Sequence, residues 1–276
     1  MSLDEFGHCI AKSAIGNLQS LTLNSVFFPG AYLLRLLDEA QLHNLSYLEL
    51  CMVQAYDYDF LADGREHLPS LVLGTLAPPV SGLRTLKVYQ VSSAMQALLI
   101  RFGVHLRGLQ TLSYNDKNAT LLDEILQNCR HSLETLEVGL YPDISSDISP
   151  SYLPNLKCFS VRVLWNSSGP FRPSIEQFAS MLWRLHVAGS TVIQEIEFNV
   201  TTLLPPSKEI HPRDWAALDA CFAALGRDQP TLRKLSVLMQ RPMIHETELK
   251  RRKVWVFMNC FPLSREIAIF HVRLTL

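Results

Sequence analysis

The chain has 276 residues, of which 48% are hydrophobic and 18% are charged, and its formal net charge is −1. A net charge near zero gives the surface no overall field for nucleic acid or an anionic membrane, and we expect neither as a partner. The uncharged stretch of residues 68–83 is interrupted by three prolines and is shorter than the about 18–20 apolar residues of a transmembrane helix.

One apolar pattern, L-x-x-L-x-L with apolar substitutes, recurs along the whole chain. Its eight clear copies are Leu18-Leu21-Leu23, Leu45-Leu48-Leu50, Leu83-Leu86-Val88, Leu109-Leu112-Tyr114, Leu133-Leu136-Val138, Leu156-Phe159-Val161, Ile193-Ile196-Phe198 and Leu232-Leu235-Val237. A ninth, weaker copy places Ile267 and Ile269 in the last two positions, with Ser264 in the first. Such recurrence is typical of a repeat protein in which each unit buries its apolar face against its neighbours.

The spacing within each copy predicts a β-strand. Because side chains alternate between the two faces of a strand, the last two apolar residues of a copy point together into the core. The first apolar residue lies in the preceding turn and fills the same core. Because the units stack on one another, the strands are expected to form one parallel sheet.

Five segments between the copies have apolar residues at helical spacing. They are Ala31–Ala40, Ser93–Phe102, Thr120–Cys129, Ser174–Val187 and Asp214–Leu225. We expect Thr120 and Asp214 to be N-caps, with Asp123 and Glu124 in the first turn of the helix that Thr120 caps. The alternation of strands and helices predicts an α/β fold that coils in the right-handed sense, with the helices outside.

These repeats are similar to those of the leucine-rich-repeat superfamily, and in particular to its ribonuclease-inhibitor-like branch. The phrases LETLEV (133–138) and LRKLSV (232–237) also resemble the repeat regions of fungal F-box-type proteins. The resemblance implies one irregular domain over residues 1–276 with about nine repeats. Its curved parallel sheet would line the concave side of a solenoid, with helices and loops on the convex side. Residues 1–14 would be the helix half of the first repeat or a cap.

The chain departs from the family pattern in two ways. The Asn or Cys that usually lies two residues beyond each strand is replaced by Val26, Val53, Val91, Lys117 and Tyr141. In addition, no F-box pattern precedes Leu18.

The family resemblance implies a protein–protein interaction module. One version is the substrate-recognition region of an F-box-type ubiquitin-ligase receptor. A ubiquitin-ligase adaptor is then an expected partner only if an F-box is supplied elsewhere. The alternative is a regulatory scaffold outside the ubiquitin system, or a truncated remnant paralogue.

The residues beside each inward pair are expected to project from the concave face, along which solenoid proteins bind their partners. The predicted partner-binding residues are Glu49, Lys87, Tyr89, Asn115, Glu137, Arg162, Glu195, Glu197 and Asn199. The ninth copy would add Ala268 and Phe270 to this face. Tyr89 and Arg162 are of the residue types that anchor interfaces. The alternative is an ordinary solvated sheet face.

Two further segments have alternative interpretations. Residues 55–69 hold aromatic residues and aspartates, and we interpret them as an irregular connecting loop; a protruding binding loop is the alternative, and the spacing of a calcium loop is absent. Residues 250–253 form a compact basic run. A solvated helix face is favoured there, with a nuclear localisation signal or a phosphate contact as the alternatives.

No known catalytic or nucleotide-binding motif is present, neither H-E-x-x-H, nor G-x-S-x-G, nor a Walker loop, nor G-x-G-x-x-G. We therefore expect no enzyme activity, no cofactor and no metal. The six cysteines are scattered and lack a C-x-x-C pair, which favours buried free thiols in a reducing compartment. Because residues 1–14 carry acids where a signal peptide carries bases, we expect a cytoplasmic or nuclear protein. Four N-x-S/T sequons begin at Asn44, Asn118, Asn166 and Asn199. For the same reason, we interpret these sequons as chance matches.

Overall fold

The structure is a computed structural model that describes residues 18–29, 45–56, 82–93, 95, 96, 99, 106–140, 152–165, 172–187, 192–202, 212–240 and 259–275. The chain divides into two compact units, Met1–Leu133 and Glu134–Leu276. The predicted helix Ala31–Ala40 lies outside the described residues.

The first unit contains a parallel sheet. The strands of this unit are β1 (Ser20–Asn24), β2 (Phe27–Pro29), β3 (Tyr47–Cys51), β4 (Gln54–Tyr56), β5 (Thr85–Tyr89) and β6 (Thr111–Asn115). β1, β3, β5 and β6 pair in parallel in that order, and the short strands β2 and β4 form a separate parallel pair. Leu48 pairs with Leu86 and Leu50 with Val88, and all four are buried. The predicted strands and inward pairs are confirmed here.

Three residues that directly follow strands of the first unit have left-handed backbone conformations. They are Ser25, Met52 and Gln90, with φ of 53°, 50° and 49°. Their N–H groups donate to the carbonyls of the residues that end the next strand, at N···O distances of 2.9, 2.8 and 3.2 Å respectively. The left-handed turn therefore extends the hydrogen-bond ladder by one residue, although none of the three is a glycine.

A buried carboxylate organises the end of β6. Asp116 accepts hydrogen bonds from the N–H of Val91 at 2.8 Å, from Nε2 of Gln96 at 3.1 Å and from the N–H of Asn118 at 3.1 Å. Three donors satisfy the lone pairs of a charge that would otherwise be costly to bury. Asp116 therefore ties the turn after β5 to the next helix.

That helix, α1 (Ala119–Cys129), begins one residue earlier than predicted. Asn118 is its N-cap, and its Oδ1 accepts a hydrogen bond from the N–H of Leu121 at 3.1 Å. The prediction that Thr120 is the cap was wrong, and Asp123 and Glu124 consequently lie beyond the first turn. Both residue types can cap a helix, but the bond from Asn118 to Asp116 fixes the start. In the predicted helix Ser93–Phe102, the described residues 93, 95, 96 and 99 are helical.

The described residues of the second unit form a parallel sheet and two α-helices. Its elements are β7 (Thr135–Leu140), β8 (Cys158–Trp165), α2 (Arg172–Val187), β9 (Glu195–Thr202), α3 (Pro212–Asp228), β10 (Lys234–Gln240) and β11 (Phe270–Thr275). The five strands pair in parallel in chain order. The predicted helix Ser174–Val187 is confirmed with an earlier start. The prediction that Asp214 caps its helix was wrong: α3 begins at Pro212, a residue favoured in the first turn, and Asp214 lies within that turn.

The core of the second unit is aromatic. Buried rings from strands and helices contact one another in a chain that includes Phe159, Phe178, Phe198, Trp215, Phe222 and Phe261. These rings hold α2 and α3 on one side of the sheet. Its other side therefore remains for polar side chains.

The predicted register of the ninth copy was wrong by three residues. Leu235 pairs with Phe270, and Val237 pairs with Val272. Phe270 and Val272 are thus the inward pair, and Ile267 takes the first apolar position of the motif. His271 and Arg273 consequently stand on the outward side, where Ala268 and Phe270 had been predicted.

The shift has a local cause in the 3₁₀ turn Ser264–Glu266 that precedes β11. Asp219 of α3, only 2% exposed, accepts hydrogen bonds from the N–H of Leu263 at 3.0 Å and from the N–H of Ser264 at 2.8 Å. The Ser264 hydroxyl also donates to Asp219 Oδ1 at 2.6 Å. This carboxylate keeps residues 263–266 in a turn, so the strand begins later than the apolar alternation suggests.

An α/β fold with parallel strands is therefore confirmed in both units. That residues 1–276 form a single repeat domain stays a prediction. The predicted helix or cap at residues 1–14 lies outside the described residues and also stays a prediction.

Candidate binding face

All nine predicted partner-binding residues lie on strands, at positions that alternate with inward-facing ones. Glu49, Lys87, Tyr89 and Asn115 lie on β3, β5 and β6 of the first unit. Glu137, Arg162, Glu195, Glu197 and Asn199 lie on β7, β8 and β9 of the second unit. In lateral register, Glu49 pairs with Lys87 and Tyr89 with Asn115, as predicted.

Two faces are defined by these residues and their neighbours. The first-unit face comprises Tyr47, Glu49, Lys87, Tyr89, Ser113 and Asn115. The second-unit face comprises Glu137, Ser160, Arg162, Glu195, Glu197, Asn199, Lys234 and Ser236.

Tyr47 organises the first-unit face. Its hydroxyl donates a hydrogen bond to the carboxylate of Glu49, and the ammonium of Lys87 lies 5.4 Å from the centre of its ring. A cation over an aromatic face is attracted by the ring's quadrupole. Tyr47 therefore holds both charged side chains in place across β3 and β5.

These contacts change the acidity of both groups. The hydrogen bond to Glu49 raises the pKa of Tyr47, because the carboxylate stabilises the protonated hydroxyl. The contact with Tyr47 raises the pKa of Lys87, whose protonated form it favours. At neutral pH Tyr47 is thus a neutral phenol and Lys87 an ammonium.

Tyr89 continues the same face towards β6. Its hydroxyl lies 3.0 Å from that of Ser113, on the neighbouring strand, and either oxygen can be the donor. Tyr89 is half-buried, so part of its side chain remains accessible to a partner. Two tyrosines on neighbouring strands give this face rigid, amphipathic contact area.

The second-unit face is dominated by ion pairs between neighbouring strands. Arg162 of β8 pairs with Glu137 of β7. Lys234 of β10 lies 3.3 Å from Glu195 and 3.8 Å from Glu197, both on β9. These side chains are partly exposed, so each pair contributes little stability but sets a pattern of alternating charge.

A chain of hydrogen bonds crosses this face from β8 to β10. Asn199 Nδ2 donates to Ser160 Oγ at 3.0 Å and to Glu197 Oε1 at 2.8 Å. The hydroxyl of Ser236 donates to Glu197 Oε2 at 3.2 Å. Asn199 is 6% exposed, and its own amide oxygen is buried without a hydrogen-bond donor.

The sequence reasoning missed Tyr47 and Lys234. Each occupies the first position of its strand, one residue before the inward pair, and shares the outward face. Extending the period-two alternation one residue earlier in each copy would have found both. The signal was therefore present in the pattern.

Several other predictions do not concern the two faces. Residues 57–69 of the predicted loop and the basic run 250–253 lie outside the described residues. In the part of the chain that the structure describes, no three His, Cys, Asp or Glu side chains are grouped so that they could hold a metal ion, and no helix there is long and apolar enough to cross a bilayer.

Two of the predicted chance sequons can be located. The side chain of Asn118 caps α1, and that of Asn199 is buried with both amide hydrogens donated to neighbours. Both side chains are thus engaged in hydrogen bonds in the folded state.

Comparisons with known proteins give no identification. Neither a scan against protein-family models nor a search of curated proteins finds a match to this chain.

Proposed function

We propose that the chain is a protein-binding module of the leucine-rich-repeat type, and that the first-unit and second-unit faces are its binding surface. One observation carries this proposal. On consecutive parallel strands the apolar residues are buried, while polar and charged residues at the alternate positions stand side by side in lateral register. A face of this kind offers a partner rows of donors, acceptors and charges at fixed spacing.

The residue types on the faces support binding. Tyrosine and arginine are enriched among residues that dominate interface energies, and Tyr89 and Arg162 are each held by a neighbouring side chain in a defined position. A side chain that is already ordered loses little conformational entropy when a partner arrives. We therefore expect these two residues to contribute most to affinity.

The repeat pattern supports a solenoid over the whole chain, with the sheet curved and the faces on its concave side. Binding along such a face needs no catalytic group and no cofactor, and we propose neither. The scattered cysteines support the cytoplasm or nucleus as the compartment, and the near-zero net charge supports a protein rather than nucleic acid or a membrane as the partner.

Affinity purification of the tagged chain from its own cells, followed by mass spectrometry, tests the proposal. The informative variant is Tyr89→Ala with Arg162→Ala, and the matched control is Arg213→Ala with Arg227→Ala, two exposed residues of α3. We expect a stable partner that the face variant loses and the control retains. A partner retained by both variants would refute the faces as the binding surface.

The identity of the partners separates the two versions of the function. A cullin and its adaptor among them would support substrate recognition for a ubiquitin ligase, with an F-box supplied elsewhere. A different stable partner without them would support a scaffold outside the ubiquitin system. The absence of any partner would support the remnant paralogue and refute the binding function.

A further inference from the structure

We propose that the second-unit face binds a basic side chain of the partner at Asn199, with arginine favoured over lysine. This inference rests on the proposed protein-binding function and adds the chemistry of the partner. Its site consists of Asn199, Glu197 and Glu195 along β9, flanked by Ser160 on β8 and Ser236 on β10.

The first argument is the amide oxygen of Asn199. Both hydrogens of its amide are used, by Ser160 and Glu197, and this fixes the oxygen on the opposite side. That oxygen is buried and accepts no hydrogen bond. Buried acceptors without a donor are uncommon in folded proteins because the lost hydration is not replaced. An acceptor held in place without a donor indicates that the donor comes with a ligand.

The second argument is the local charge. At the outward positions of β7 to β10 the described charged residues are three acids (Glu137, Glu195 and Glu197) and two bases (Arg162 and Lys234). The excess is one negative charge. Among the outward positions of the strands themselves, the next base is Arg273 on β11, two strands from β9, a separation of about 9–10 Å. Salt screens its effect at that distance.

The third argument is the geometry of the acceptors. Asn199 and Glu197 are alternate residues of one strand and are joined by a hydrogen bond of 2.8 Å. A guanidinium group carries several N–H donors in a rigid fork and can reach an amide oxygen and a carboxylate together. An ammonium is a single point donor and fits this pair less well.

Access to the amide oxygen requires a small movement of its neighbours. The residues beside Asn199 in register are Arg162 on β8 and Leu238 on β10. Both are partly exposed, so either can change rotamer without disturbing the core. Because Arg162 pairs with Glu137, we expect an incoming arginine to displace Leu238.

The binding test uses the full chain and fluorescein-labelled peptides of alternating glycine with arginine, lysine or glutamate, measured by fluorescence anisotropy. We expect the arginine peptide to bind, the lysine peptide to bind more weakly and the glutamate peptide not to bind. Asn199→Ala and Glu197→Gln should each weaken arginine-peptide binding about tenfold, because the first removes the amide oxygen and the second removes the negative charge of the carboxylate.

Matched controls make the same chemical changes away from the faces. Asn128→Ala on α1 and Glu266→Gln in the 3₁₀ turn both alter exposed residues, and binding should stay within about twofold of the wild type. Equal losses in the Glu197→Gln and Glu266→Gln variants would show a non-specific charge effect and overturn the proposal. So would wild-type affinity in Asn199→Ala, or no binding of the arginine peptide at all.

A second measurement does not depend on any variant folding. In a ¹H–¹⁵N spectrum of the wild-type chain, the side-chain amide signals of Asn199 should shift on addition of the arginine peptide and not of the glutamate peptide. Unchanged Asn199 signals despite peptide binding would overturn the proposed site. A native partner lost on Tyr89→Ala with Arg162→Ala but kept by Asn199→Ala would refute this inference alone and leave the binding function standing.

Discussion

Phe178 of α2 stacks on Phe198 of β9, with ring centroids 4.8 Å apart and ring planes 13° from parallel. Both rings are fully buried. Phe178 also meets Phe222 of α3 edge-on at 6.2 Å. One side chain thus joins the sheet to both helices of the second unit, and its loss would affect all three elements.

We expect Phe178→Ala to lower the free energy of unfolding by about 3–5 kcal/mol, because it removes buried ring area and leaves a cavity. Trp183→Ala on the same helix is the control. Because this side chain is 51% exposed, its removal should lower the free energy of unfolding by well under half of the amount expected for Phe178→Ala. Urea unfolding measures both. Similar losses for the two variants would contradict the packing described for Phe178.

The left-handed residue after β3 predicts an unusual order of tolerated substitutions. Met52 has a φ of 50° and is 44% exposed, so its side chain is not needed for packing. Met52→Asn should leave stability nearly unchanged, since asparagine tolerates this conformation. Met52→Val should be less stable than Met52→Asn by about 1–2 kcal/mol, because a β-branched side chain is strained in this conformation and asparagine is not. Thermal unfolding of the Met52→Asn and Met52→Val variants tests this prediction, and equal stability of the two variants would contradict a strained backbone at residue 52.

The buried carboxylate of Asp219 gives a third prediction. Asp219→Ala leaves the N–H groups of Leu263 and Ser264 without their acceptor, at a cost of about 2–5 kcal/mol. Hydrogen exchange should show faster exchange in β11, which follows that turn. Asp214→Ala in the same helix is the control and should lose only about 0.3–1 kcal/mol of helix-dipole interaction. Unchanged protection of β11 in Asp219→Ala would refute the role of this carboxylate.

A fourth prediction concerns alkaline pH. Burial raises the pKa of the Cys129 thiol from 9.0 to about 12. The folded state therefore keeps a proton that the unfolded state releases above pH 9. Releasing this proton stabilises the unfolded state, so the free energy of unfolding falls as the pH rises from 9 towards 12. From about pH 8 to pH 10 the loss due to Cys129 should be about 1 kcal/mol.

The test compares urea unfolding of the wild type and Cys129→Ala at several pH values. The variant should lose less stability between pH 8 and pH 10, whatever its stability at neutral pH. Ser132→Ala, in the turn after α1, removes no titrating group and should keep the pH dependence of the wild type. The same pH dependence in Cys129→Ala would show that the thiol is not buried as described.

The strand positions could be predicted because they depend on a short-range rule. In β3 and β5 the inward residues are those that the L-x-x-L-x-L spacing indicates, and the outward residues, including Glu49 and Lys87, follow from alternation alone. The rule failed at β11, where Ser264 and Asp219 form a turn. Asp219 lies far from Ser264 in sequence, and no local pattern announces such a contact.

Other features depended on competition between neighbours. Thr120 and Asn118 are both good caps, and the hydrogen bond between Asn118 and Asp116 decided the start of α1. On the second-unit face, Glu197 and Asn199 could be placed on one side of a strand from the sequence. The unsatisfied amide oxygen could not be foreseen, because it depends on the rotamers of Ser160 and Glu197.

The ladder of paired strands also bears on how this protein can change over evolution. The register of the sheet is set by pairs of strand residues, such as Leu136 with Phe159 and Ile196 with Leu235. The return segments, which connect the end of one strand to the start of the next, differ greatly in length from one another. Insertions in these return segments need not move any residue of the faces. Return segments can therefore drift in length and sequence under weak selection, while a single-residue insertion within a strand would turn its polar residues into the core.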